Sequence, residues 1–348
     1  MTSDPASLQV RTMQEADRAA WDRFVQDHPE GTFFHLSGWL TVLREAFGHR
    51  SHALLVEDAS GIRGLFPLAR IRSVLFGDAL ISLPFCVYGG VLAIDESARL
   101  ALEDAAMDLA RELAVDHLEV RNQTPRRDDW LRKDLYVGFR KEIDPDPSVN
   151  LMAIPRKQRA EVRRGIRNEL VSVIESDTDR CWQIYAESVR NLGTPVFSRR
   201  YFRVLKEVFG EACEARVVEK DGEAVSAVLS FYYKNEVLPY YGGALWSARR
   251  IGAYPFMYWD LMGFAAREHA ATLFDFGRSK KGSGSYNFKR YYGFEPTPLA
   301  YEYHLVKADS MPNVSPTNPK YRLFIEMWKR LPVPVASALG PMIARHLG

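Results

Sequence analysis

Residues 272–296, TLFDFGRSKKGSGSYNFKRYYGFEP, read as a buried strand that runs into a glycine-rich loop and then a short polar helix. Leu273, Phe274 and Phe276 make an apolar strand broken by Asp275, and residues 277–285 follow with glycines, hydroxyls and the cations Arg278, Lys280 and Lys281. A loop of this kind, between a strand end and a helix start, can turn several backbone N–H groups toward an anion. The alternative is a solvated basic turn. No Gly-x-x-x-x-Gly-Lys-Ser/Thr string can be drawn through it, so nucleotide hydrolysis is not expected. Nor is there a Gly-x-Ser-x-Gly elbow, because Gly282-Ser283-Gly284 is one residue too tight, and a hydrolase triad is disfavoured.

The downstream string Tyr286-Asn287-Phe288-Lys289-Arg290-Tyr291-Tyr292-Gly293-Phe294-Glu295 changes the weight of that loop. With Asp275-Phe276-Gly277 before it, it resembles the closing motif of the Fem-type (FemAB) aminoacyltransferases: a strand with Asp-x-Gly, a glycine-containing loop, then Phe-Lys and a terminal Gly-Phe. That family is a pair of acetyltransferase-like (GNAT) domains. Simpler GNAT enzymes carry a tyrosine general acid four residues before the glycine, where this chain has Lys289. Residues 156–168 and 192–201 are similar to the FemAB-related proteins of the PEP-CTERM exosortase system of exopolysaccharide-producing bacteria.

The resemblance implies a mixed α/β fold of tandem GNAT-like domains and an acyl- or aminoacyltransferase acting on an amine or hydroxyl of a cell-envelope or exopolysaccharide precursor. The donor would be acyl-CoA or aminoacyl-tRNA, with no metal. Lys289 would stabilise the oxyanion or protonate the leaving group, where a fixed charge contributes a few kcal/mol. Asp275 would orient the loop or the nucleophile, although a carboxylate at a strand end is as often structural. Arg278, Ser279 and Tyr286 would line the site. No general base stands out, which suggests substrate-assisted or water-mediated proton transfer. A non-catalytic component that binds substrate in envelope polysaccharide synthesis is the competing reading.

A chain of 348 residues with 47% hydrophobic residues has material for two cores. Its net charge of +2 argues against a global nucleic-acid-binding surface, so anion recognition, including contact with tRNA, must be local. Cys86, Cys181 and Cys213 are odd in number and widely spaced, and His49 and His52 lack companion ligands, so neither a disulfide framework nor a metal cluster is suggested. The N-terminal stretch 1–10 has no basic region followed by an apolar run, and no run of 18 apolar residues exists; the expectation is a cytoplasmic protein.

An internal repeat appears at an offset of 162: WLTVLREAFG at 39–48 lies on YFRVLKEVFG at 201–210, and both run into a strand, ALLVE and ARVVE. Duplication accounts for the matched Phe-Gly ends better than chance between amphipathic helices. It predicts domains at 1–147 and 148–308, separated by the linker composition DPDPS at 144–148, with an extension at 309–348. Helices are expected at 13–26, after Ser37, at 97–115, 154–170, 179–192 and 255–269. Strands are expected at 53–57, 65–71, 80–83, 87–94, 117–121, 136–140, 215–219, 224–233, 236–242 and 299–307.

Several positions keep two readings. The helix at 154–170 carries Arg156, Lys157, Arg159, Arg163, Arg164 and Arg167, which form either a solvated face or a contact for a pyrophosphate or nucleic-acid backbone. Arg199 either decorates a helix start or meets an anion docked there. Tyr240-Tyr241-Gly242-Gly243 resembles the bulged central GNAT strand, which would put Tyr241 beside substrate, and also reads as aromatic core. Arg249-Arg250-Ile251-Gly252-Ala253-Tyr254 holds the place of the GNAT pyrophosphate loop and departs from Arg/Gln-x-x-Gly-x-Gly/Ala at Tyr254, which suits a Fem-type donor better than coenzyme A. Arg249, Arg250 and Gly252 are its donor-binding candidates. The tail from 320 either packs on the body or touches the inner membrane face.

Overall fold

Short apolar runs between turn residues and longer amphipathic repeats set the order of elements. The computed structural model describes residues 8–73, 76–312 and 319–348; the start of the N-terminal stretch and most of the linker expected at 309–319 lie outside them. The chain begins with β1 (Gln9–Thr12), α1 (Arg18–Asp27), α2 (Gly38–Val42), β2 (Leu54–Asp58), β3 (Gly61–Phe66), β4 (Leu68–Ser73), β5 (Gly77–Ser82), β6 (Leu92–Ala93), α3 (Glu96–Glu112), β7 (His117–Asn122) and β8 (Leu131–Lys133). It continues with β9 (Tyr136–Glu142), α4 (Pro147–Ala153), α5 (Arg156–Arg167), β10 (Val171–Glu175), α6 (Asp179–Leu192), α7 (Arg199–Phe209), β11 (Cys213–Lys220), β12 (Glu223–Tyr233), β13 (Glu236–Ala244), α8 (Ala253–Glu268), β14 (Leu273–Asp275), β15 (Ser279–Lys280), α9 (Gly284–Tyr291) and β16 (Pro296–Pro298). It closes with β17 (Ala300–Leu305), α10 (Pro319–Trp328) and α11 (Val333–Ala344).

These elements divide into two units. The first combines 1–134 with 298–314 and 346–348; the second combines 135–297 with 315–345. In the first, a sheet β1-β2-β3-β6 and a sheet β4-β5-β7-β17-β8 share a core with α3, whose Ala98, Leu102, Ala106 and Ala110 recur at helical spacing and are buried. The second unit is built on one mixed sheet, β10-β11-β12-β13-β14-β9-β15, with β16 paired to β9. The hairpin between β11 and β12 turns on Asp221 and Gly222, both at positive φ, as the Asp-Gly pair indicates.

Where the structure departs from the expected elements, local backbone chemistry explains it. The strand expected at 65–71 splits into β3 and β4 at Pro67, which has no N–H for the ladder. The strand expected at 87–94 shrinks to β6, because Leu83 and Phe85 adopt positive φ and residues 83–90 form a buried loop. That loop is held by side chains: Arg121 donates to Cys86 O, and Tyr301 donates to Val87 O. The DPDPS stretch is the start of α4, with Asp146 as its cap and Pro147 at its first position, and it lies within the second unit. β1, β8, β10, β15 and β16 were not foreseen; most are only two to four residues long.

α5 and α8 cross at glycine. Gly252 caps α8 at φ 75°, and a Cβ there would lie 2.4 Å from Glu161 O; a Cβ on Gly165 would lie 2.6 Å from Phe256 Cβ. Asn168 Nδ2 donates to Ile251 O at the same crossing. Gly165→Val is expected to cost about 3 kcal/mol of stability, read as a lower thermal midpoint. Gly284→Ala, where nothing lies within 4 Å of the added carbon, should stay within about 0.5 kcal/mol. Equal midpoints for the two would remove the crossing as a constraint.

Candidate functional site

The central strands of the second unit part. β13 and β14 are parallel and pair only at Glu236↔Leu273 and Val237↔Phe274, after which β13 runs on to Ala244 alone. On its other side β13 pairs with β12, and the register jumps from Leu229↔Tyr241 to Ser230↔Pro239, so Tyr240 is a bulge. A bulge turns backbone groups out of the ladder beside the gap. Into the gap projects Tyr258 of α8. Its hydroxyl lies where a Cβ on Gly242 would meet it at 2.4 Å, and its ring packs 4.6 Å from that of Phe276. Tyr258 donates to the hydroxyl of Tyr254, one helical turn back, at 3.0 Å. Burial raises both phenols, Tyr258 well above the ordinary value with Tyr254 adding to the effect, so both stay protonated near neutrality.

Beyond β14 the chain curls under α9. Asp275 is buried; its Oδ1 accepts from Gly277 N at 2.7 Å, and its Oδ2 lies 3.4 Å from Arg140 Nε, which also pairs with Glu236. The carbonyl oxygens of Phe276, Gly277 and Arg278 then converge on Lys289 Nζ, which donates to them at 2.6, 3.2 and 3.1 Å. The ammonium sits 5.4 Å from the ring centroids of both Phe139 and Phe276. Burial pushes Lys289 down to about 7, opposed by Asp275 and assisted by Arg278. Three carbonyl acceptors use all three hydrogens of the charged form.

The other expected site residues fall into separate groups. Arg278 lies over the Tyr136 ring, Ser279 pairs with Val137 in β15 and has a buried Oγ without a hydrogen-bond partner, and Tyr286 packs edge-on against Phe139. These three join Lys289 and Asp275. Tyr241 points to the opposite face from Gly242, as successive strand residues must, and its hydroxyl pairs with Tyr201 at 2.7 Å among Tyr185, Phe197 and Phe202. Arg199 starts α7 but is paired with Asp179, which its guanidinium holds below the usual carboxylate range, so the cation at the helix start already has its anion. Arg249 stacks on Trp246 at 3.7 Å, and Arg250 is exposed beside it. Arg164 pairs with Glu161, whereas Arg163 is exposed on α5; Gly252 is the crossing point described above.

Sequence reasoning overlooked Phe139 and Arg140, whose strand sits between β14 and β15, and the Tyr254–Tyr258 pair. The i, i+4 spacing of the two tyrosines was the available signal for the pair. Among the described residues no group of three or more His, Cys, Asp or Glu could hold a metal ion, and no helix is long and apolar enough to cross a membrane.

Comparison with known proteins bears on this geometry. Residues 156–290 match the family model of an acetyltransferase (GNAT) domain. Among solved structures the chain is similar to FemX, with TM-score 0.65 and 15% identity over 91% of this chain and 100% of that one. It is similar also to a tandem GNAT protein from the clavulanic acid biosynthesis pathway, with TM-score 0.54 and 14% identity over 87% and 100% of the two chains. L-PGS from Bacillus licheniformis aligns with TM-score 0.54 and 14% identity over 92% and 99%. No curated protein sequence matches. The fold is mixed α/β of the tandem GNAT kind.

A buried lysine with a lowered pKa makes stability depend on pH in a defined direction. Below about 7 the amine is charged in folded and unfolded chains alike; between there and its ordinary 10.5 the unfolded chain binds a proton that the folded chain has released. Stability relative to Lys289→Met should therefore rise with pH across that window, by up to about 1.4 kcal/mol per unit. Denaturant titrations of both proteins at several pH values read it. A difference independent of pH would mean that Lys289 keeps its charge throughout.

Proposed function

We propose that this protein is an acyltransferase of the aminoacyl-transferring kind, working at the parting of β13 and β14. The observation that carries the reading is that gap itself, with the bulge at Tyr240 on one side, the Lys289-held loop on the other and two phenols reaching into it. The match of 156–290 to the GNAT domain supports it.

In this reading the donor carbonyl lies beside the bulged backbone of β13, whose N–H groups take up the charge that forms on oxygen as the acceptor attacks. Collapse of the tetrahedral intermediate expels the leaving group, which takes the Tyr258 proton once that hydroxyl turns away from Tyr254; the Tyr254 O–H then re-protonates Tyr258, and the proton released by the acceptor returns through water to Tyr254. A phenol held protonated is suited to an alkoxide leaving group, whereas a thiolate leaves without such help. That chemistry favours an aminoacyl ester, as on tRNA, over acyl-CoA. Lys289 and Asp275 act through the loop they clamp, keeping Arg278 at the rim with Tyr286 and the buried Ser279 hydroxyl beneath them. The acceptor is an amine or hydroxyl on an envelope precursor, lipid-linked or saccharide, reached from the same gap. Arg163 on α5, with Arg249 and Arg250, offers charge to a phosphate-bearing donor.

The test incubates the purified chain with labelled acyl-CoAs and, separately, with a charged tRNA mixture, following donor loss and transfer beside Tyr258→Phe and Lys289→Met. Loss of aminoacyl ester, reduced on the order of 10²-fold in kcat by Tyr258→Phe with little change in KM, is the expected result. Preferential use of acyl-CoA would correct the donor class. Donor loss untouched by either substitution, or no loss from either donor, would sink the proposal.

A further inference from the structure

Each of the last two helices presents exposed apolar side chains that the acyl-transfer reading leaves unused. α11, VPVASALGPMIA, contains no charged residue. Its inner side is made of small residues: Ala336, Gly340 and Ala344 are buried, and a Cβ on Gly340 would meet both Val196 N and Val196 O at 2.6 Å. Its outer side carries Val335 (41% exposed), Leu339 (45%) and Met342 (67%), at i, i+4 and i+7 along one helical face. α10 adds Leu323 (72%), Phe324 and Met327 (62%), while Trp328 is buried beneath them. Arg190 of α6 donates to Lys329 O in the turn between the helices, and Ile325 packs on Gly193, so the pair stands on α6 and the segment after it.

Charge indicates what covers this face. Residues 319–348 contain five Lys and Arg and one Glu, a net of +4 in a chain whose total is +2, so the remaining residues carry a net of −2. Lys329 and Arg330 lie in the turn at one end of α11, and Arg345 lies at the other. An uncharged helix with apolar side chains outward and cations at both ends matches the boundary between acyl chains and anionic headgroups. Twelve residues of helix reach about 18 Å, well short of a hydrocarbon core of about 30 Å, so the helix lies on the surface and does not cross it.

We infer that α10 and α11 form a docking face for an anionic lipid bilayer, with Leu339, Met342, Met327 and Leu323 entering the acyl boundary and the flanking cations meeting headgroup phosphates. The inference does not depend on the acyl-transfer reading, because its readout is partitioning.

The full chain is sedimented with phosphatidylcholine vesicles and with vesicles containing about one-third phosphatidylglycerol, beside the double variant Leu339→Glu, Met342→Glu. Thermal midpoints and donor consumption are measured on the same samples. The wild-type chain should partition onto the phosphatidylglycerol vesicles and not onto phosphatidylcholine alone. The double variant should bind at least about tenfold less, and salt at about 0.5 M should weaken the wild-type chain. An unchanged midpoint would place the loss at the surface and not in folding. Equal binding by variant and wild type would overturn the inference, as would failure of the wild-type chain to bind. A wild-type dimer in solution that the double variant makes monomeric, without vesicle binding, would overturn it in favour of a contact between copies.

Discussion

The second unit depends on one buried amino group. Lys289 enters the protein interior, where burial weakens its hold on the proton, and three consecutive carbonyls turn toward it and accept its hydrogens. Those carbonyls could not serve the sheet as well, so β14 ends at Asp275 and the chain bends away. Asp275 fixes the bend through Gly277 N and Arg140. The constraint is mutual: without the lysine, three carbonyls face an aromatic interior unpaired; without the bend, the lysine has no partners.

The early end of β14 leaves β13 unpaired on that side past Val237, and the bulge at Tyr240 in its pairing with β12 turns its backbone further. Gly242, lacking a side chain, admits the Tyr258 hydroxyl to the strand, and Tyr254 continues the polar path along α8. The same helix is approached from its first turn by α5 through Gly165 and Gly252. The start of α8, which holds the place of the GNAT pyrophosphate loop but departs from its pattern at Tyr254, is a helix–helix contact flanked by the exposed Arg249 and Arg250.

Much of this was readable from residues 272–296, because strand, loop and helix are contiguous and each is held by local signals: the apolar run, the Ser283 cap and the Phe-Lys pair. The repeat at an offset of 162 likewise marked α7 and its counterpart, α2 continued by a π-helical turn over Leu43–Phe47, each followed by glycine and then a strand. What escaped was non-local. β9 lies over 130 residues before the strand it accompanies, so nothing near Phe139 and Arg140 signalled that they flank Lys289 and Asp275. The pairing of Arg199 with Asp179, 20 residues away, converted an apparent anion site into a satisfied ion pair. DPDPS reads as a linker by composition, yet Asp146 and Pro147 are equally good helix-starting residues, and only the tertiary contact from Trp259 to Pro147 O distinguishes the two.

In the first unit, β17 lies between β7 and β8, and Glu302 within it is the buried acceptor for Asn122 and for the backbone of Arg126 and Arg127. A ribosome releases β7 and β8 long before β17. Until then that sheet lacks an interior strand, and the loop after β7 lacks the carboxylate that organises it. The entire sheet of the second unit emerges in the interval. For these two sheets, the order of synthesis is therefore the reverse of the order of completion: the sheet begun first is the sheet finished last.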